Sequence, residues 1–171
     1  MTTIDFDKLL KNEAWKGLKS SYIDNDGTQN PFGEIDDGHG IYKVYVLDED
    51  VDKIRILQSA NRDKRDADTL TKIFNDNVAY DKKGTKHVIY IGKAEHLRTR
   101  IKQYMLTVFG GTNHKGGIAI WAIDNYAKYL HLDVYPLRES QYASARKWEA
   151  EEIKIFKSTH NNNRPMANRK D

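Results

Sequence analysis

At 171 residues the chain is long enough to bury one domain's core without a disulfide or a structural metal. It has no cysteine, which excludes disulfide frameworks, thiol catalysis and Cys-based zinc sites. Charge is lopsided: residues 1–81 carry 11 Lys/Arg against 17 Asp/Glu, and residues 82–171 carry 17 against 8. The basic second half points to a polyanion, most commonly a phosphate backbone, with a solvated basic surface as the plainer reading. The N-terminus lacks the basic and apolar regions of a signal peptide. The best apolar run, Ile118–Ile123, is far too short for a bilayer. A soluble, cytoplasmic protein with no membrane partner is expected.

In chain order, residues 4–22 predict an opening helix, with Leu9, Leu10, Trp15 and Leu18 at helical spacing. Asn25 to His39 is rich in turn formers, so residues 1–38 are expected to pack on the core as a helix and an irregular arm. Gly40–Leu47 is a strand of β-branched and aromatic residues. A turn at Asp48–Val51 precedes a second short strand, Lys53–Leu57. Asn61–Asp66 is a charged loop, Ala67–Val78 a helix, and His87–Ile91 the next strand. A helix from about Glu95 to Val108 carries Leu97, Ile101, Met105 and Val108 on its apolar stripe, with Arg98 and Lys102 on its basic far side. After a glycine-rich loop, Ile118–Ile123 and Leu130–Tyr135 are predicted strands. Gln141–Lys157 is the final helix and residues 159–171 a polar tail. Strands and helices in this order predict an α+β domain, a small antiparallel sheet flanked by helices.

Two tripeptides, Gly40-Ile41-Tyr42 and Tyr90-Ile91-Gly92, sit on two of these strands, and the second continues through Lys93 and Arg100 to Tyr104. In this ordered set the chain resembles the GIY-YIG nuclease family. The family places a Lys shortly after the second Tyr, an Arg ten residues after it, and a Tyr or His one helical turn later. Its later glutamate, followed twelve residues on by an asparagine, is matched by Glu149 and Asn161. Helical geometry agrees: Glu149 and Glu152 fall in the apolar arc of Ala145, Trp148, Ile153 and Phe156, whereas Glu151 projects away. A carboxylate at the edge of a buried face needs a partner. A metal is one, and a helix-surface ion pair with Arg146 or Lys154 is the other.

The resemblance implies a GIY-YIG nuclease domain over residues 39–171 and a metal-dependent cut in double-stranded DNA. Glu149 would hold Mg²⁺ or Mn²⁺, and Arg100 would stabilise charge on the scissile phosphate. Tyr42 would act as base with Tyr90 beside it, and Lys93, Tyr104 and Asn161 would complete the polar shell. A free phenol has a pKa of about 10, and lowering it to about 7 needs ~4 kcal/mol, for which Lys93 and the metal are the nearest sources. His114 and Lys115, in a His-x-Gly-Gly stretch like that of restriction-type members, and Arg98 and Lys102 are expected at the DNA backbone. The chain departs from the family in the 47 residues between Tyr42 and Tyr90, an enlarged insertion at about 48–86. It also departs at Ser158, where many members have proline. Compactness favours a stand-alone restriction- or phage-type enzyme, acting as a homodimer or as transiently paired monomers. The alternatives are a non-cleaving nucleic-acid-binding domain, a structure-specific repair or recombination nuclease, and an acid–Glu-x-Lys nuclease using Asp133, Glu152 and Lys154.

Overall fold

Four antiparallel strands form one sheet in the order β1-β4-β2-β3: β1 (Thr2–Asp5), β2 (Gly40–Leu47), β3 (Lys86–Ala94) and β4 (Leu130–Pro136). The computed structural model describes residues 1–6, 35–82, 85–106 and 117–169. Within these lie α1 (Ala67–Val78), α2 (Leu97–Leu106), the single-turn α3 (Tyr126–Tyr129) and α4 (Ala145–Thr159). The chain is therefore α+β, with a small antiparallel sheet and helices.

Strand side chains alternate between two faces. The pairing sets Tyr42 beside Val134, Val44 beside Leu132 and Val46 beside Leu130. With Ile4 and Tyr90, this face joins Leu70 and Phe74 of α1 and Leu97 and Ile101 of α2 in the main core. The opposite face is polar, pairing Lys43 with Asp133 and Tyr45 with His131, and α4 packs on β3 and β2. At one edge of the sheet, β1 pairs with β4 alone.

The predicted bounds of β2 and α1 match the structure. Asp66 caps α1 by accepting from the Thr69 amide at 2.7 Å. Ser144 caps α4 in the same way through the Lys147 amide, so that helix starts at Ala145 rather than Gln141. Three expectations fail. Residues 4 and 5 end strand β1 instead of opening a helix, because Ile4 is buried in the core and Thr3 bonds Asp133 across the sheet at 2.8 Å. Phe6 is already helical, so the expectation fails only for residues 4 and 5, and residues 7–22 lie outside the described residues. Lys53–Leu57 is not a strand. The chain makes a 3-10 turn over Asp48–Lys53, then meets residues 122–124 through one isolated bridge, Ile56 to Ile123, with Leu57 N–H donating to Ala122 O and Asp124 N–H to Arg55 O, both 2.8 Å. Ile118–Ile123 is correspondingly not a strand but a stretch buried from Ala119 onward, holding a 3-10 turn at Ile120–Ala122. A continuous apolar run reports burial without specifying period.

The polar tail folds back. Pro165, Met166 and Ala167 are buried, and the Ala167 amide donates to Ile89 O at 2.8 Å. The Asn168 side chain takes both backbone groups of Ile91, accepting from N–H at 2.9 Å and donating to C=O at 2.8 Å. It thereby covers the free edge of β3. The segment between the tripeptide strands supports this tail in turn: Asn77 donates to Arg164 O at 2.9 Å and Arg65 to Met166 O at 3.0 Å.

Candidate active site

The two tripeptides lie side by side, because β2 and β3 pair Tyr42 with Gly92 and Gly40 with Ala94. A side chain at residue 92 would stand 2.6 Å from Tyr42 Cζ and 2.8 Å from Tyr90 Cε1, and one at residue 40 would stand 2.3 Å from Tyr135 O. Glycine at 92 thus lets two tyrosine rings close over the strand. Their centroids are 5.8 Å apart, and Tyr104 from α2 completes a triangle at 5.7 Å from Tyr42 and 5.4 Å from Tyr90.

Within the triangle the hydroxyls differ. Tyr42 and Tyr104 are wholly buried, and Tyr90 keeps 7% of its surface. Burial pushes the Tyr42 phenol well above its usual pKa, and its hydrogen bond to Tyr90, with Tyr42 as donor, raises it further. Burial pushes Tyr90 up to about 12, against lowering by that hydrogen bond and by the Arg100 charge; the Glu149 carboxylate adds to the rise. Tyr104, expected in the polar shell, instead forms a packed wall between Tyr90 and Trp121.

Glu149, on α4, accepts from Lys93 Nζ at 2.5 Å, with 18% of the carboxylate side chain exposed. Lys93 is therefore committed to the glutamate rather than to the Tyr42 phenol it was expected to tune. Both line an open cleft of about 900 Å³ with Arg146, Lys157, Asn161 and Arg164. Asn161 reaches it from a left-handed backbone at φ 50°, a conformation asparagine tolerates better than most residues. Tyr42, Tyr90 and Arg100 do not line this cleft; Glu149 connects the two parts through its field on Tyr90. Glu152 faces elsewhere, bonding Lys43 at 2.7 Å and Trp148 Nε1 at 3.1 Å.

Comparison with protein-family models, curated proteins and solved structures finds no match to this chain.

The remaining predicted contacts divide. Arg98 Nε donates to Ile35 O at 3.1 Å, a structural use, and burial pulls the Lys102 ammonium below its usual pKa; neither lines the cleft. His114 and Lys115 lie outside the described residues. The acid–Glu-x-Lys set is not assembled. Asp133 bonds Lys86 at 2.7 Å, and Lys154 points along the exposed helix surface to Glu151 at 3.4 Å. Sequence reasoning missed Asn168, whose role depends on a long-range edge. It also missed a buried chain in which His87 bridges Asp81 at 2.8 Å and Asp48 at 2.9 Å, while His160 meets Asp81 at 3.1 Å. No helix among the described residues is long and apolar enough to cross a membrane.

Proposed function

We propose that the chain is a GIY-YIG-type, metal-dependent DNA endonuclease, with residues at about 48–86 as an insertion in that domain. The observation carrying this reading is the convergence of residues from four elements, β2, β3, α2 and α4. Tyr42 and Tyr90 share a hydrogen bond, Arg100 acts electrostatically on both, and Glu149 acts on Tyr90 from α4. A strongly perturbed tyrosine pair facing charged partners is a mark of functional sites.

The donor set fits a hard divalent cation. Glu149 offers one carboxylate to an open cleft, and no group of three or more His, Asp or Glu gathers to hold a metal among the described residues. Mg²⁺ or Mn²⁺ is commonly held by one or two carboxylates, with water and substrate phosphate completing its shell, whereas zinc demands more protein ligands. When bound, the ion supplies charge neutralisation at the phosphate and at the leaving 3′ oxygen. Glu149 would hold it, and Lys93, now paired to that carboxylate, would serve a phosphate oxygen. Arg100 stabilises the charge that grows on the scissile phosphate.

Tyr90 is the base in this scheme, because it keeps 7% of its surface and Tyr42 keeps none. Tyr42 donates to that oxygen and holds it in place. Lowering a pKa of about 12 to about 7 requires ~7 kcal/mol, more than an unperturbed tyrosine would need. Neutralising Glu149 removes one contribution that raises it. Arg100→Ala should reduce cleavage by about 10²–10³-fold while DNA affinity, measured by fluorescence anisotropy in chelator, stays within a few-fold. Unchanged cleavage would remove Arg100 from the site.

A further inference from the structure

The cleft at Glu149 does not end there. A second open cleft, also about 900 Å³, adjoins it and shares Lys157, Asn162 and Arg164 with it. Its far wall is the charged loop of the segment between the tripeptide strands, together with Arg169 of the tail. Among the described residues, eight cationic against two acidic side chains line the joined clefts, a net +6 in a chain whose total is +3. The excess positive charge is therefore concentrated along one path.

That path is built rather than incidental. Asp63 is nearly inaccessible, with its side chain 2% exposed, and it binds Arg65 Nε at 2.9 Å and Arg169 Nε at 3.2 Å. Burial alone would raise its pKa, but the hydrogen bonds and charges of Arg65 and Arg169 outweigh this and hold it at about 2. Arg65 also anchors to the tail through Met166 O. The loop is fixed on both sides of Lys64, which stands exposed between Asp63 and Arg65. Lys64 and Lys157 have no carboxylate partner among the described residues. Among the described residues no aromatic side chain lines either cleft, so those residues offer no stacking platform of the kind single strands require.

Resting on the nuclease reading above, we infer that these joined clefts carry the phosphate backbone of duplex DNA away from the scissile phosphate. Lys157 and Arg164 take phosphates at the junction, and Lys64 takes one on the inserted loop. The insertion thereby becomes part of the substrate surface as well as a brace for the tail. Contacts of this kind position the duplex and read no sequence, and each releases counterions.

The test compares the full-length protein with Lys64→Gln/Lys157→Gln and with Lys53→Gln/Lys128→Gln, a control of equal charge change outside both clefts. Binding of a 30-base-pair duplex is followed by anisotropy in chelator across a salt series. The cleft variant should bind about ten-fold more weakly at 0.1 M salt, and its log–log salt slope should fall by about two. The control should keep the wild-type slope, and all three should melt alike. In cleavage assays the cleft variant should raise KM and leave kcat within two-fold. If the wild type cuts DNA and the cleft variant binds and cuts like it, the surface assignment is wrong and the nuclease reading survives. If the wild type neither cuts nor binds duplex, the reading itself fails and takes this inference with it. Tighter binding of a matched single-stranded RNA than of the duplex would also overturn it.

Discussion

Two carboxylates lie against the polar side of the sheet, each paired to a strand lysine, and they are treated differently. Asp133 is 1% exposed and accepts from Lys86 at 2.7 Å, Thr3 at 2.8 Å, and the hydroxyls of Tyr45 and Tyr135 at 3.2 Å. Burial would raise its pKa, but hydrogen bonds from Lys86 and Thr3 outweigh this and hold it below the usual range. Its acceptor capacity is filled, so it is a structural hub. Glu149 is partly open, bonded by Lys93 from a lysine side chain that is itself 43% exposed, and it faces a cleft crowded with cations. A carboxylate with unused lone pairs and an exchangeable partner can take a cation. The saturated one cannot without dismantling the sheet.

Substitutions sharpen this contrast. Glu149→Gln should lose metal-dependent cleavage by about 10³-fold or more while costing less than about 1 kcal/mol of stability, as expected of a part-exposed ion pair. Glu152→Gln, one turn along, should keep activity within a few-fold, and the reverse pattern would move the cation ligand to Glu152. Asp133→Asn should do the opposite of Glu149→Gln. It leaves Lys86 without its charge partner and should cost about 3 kcal/mol, seen as a drop in Tm of about 8 °C. An Asp133→Asn protein as stable as wild type would remove the hub.

Smaller effects follow at the edge and in acid. Asn168→Ala takes both partners from the Ile91 backbone and should cost about 1–2 kcal/mol in urea unfolding. Asp133 and Asp63 have folded-state pKa values below the unfolded value, so their contribution is present above about pH 4. It is lost as pH falls toward the folded values, about 2 for Asp63. Urea midpoints should therefore drop between pH 5 and pH 2.5, and Asp133→Asn should flatten part of that fall. A slope unchanged in the variant would show that Asp133 carries no linkage.

Much of the scaffold was legible because its signals are local. A run of β-branched and aromatic residues marks β2, and the end of the charged loop Asn61–Asp66 marks the start of α1. The two tripeptides declare their register once β2 and β3 pair, and Gly92 shows why the second one needs glycine. What escaped depends on distant partners. Thr2–Asp5 becomes a strand because β4 is there to receive it, and residues 119–123 are buried as a turn that no periodicity marks. Asn168 looks like any tail residue until it meets Ile91. Tyr104 was expected in a polar shell, yet its full burial follows from Tyr90, Tyr42 and Trp121 closing around it. The same limit applies to Lys93, whose ion pair joins β3 to a helix 56 residues away.

The most direct measurement is incubation of the purified wild-type protein with plasmid and phage DNA in Mg²⁺ or Mn²⁺, with a parallel series in chelator. The account predicts metal-dependent strand scission, as discrete fragments if recognition is sequence-specific and as nicks or a smear if it is not. Tight DNA binding without scission under any of these conditions would contradict a nuclease and leave a nucleic-acid-binding domain built on the same sheet.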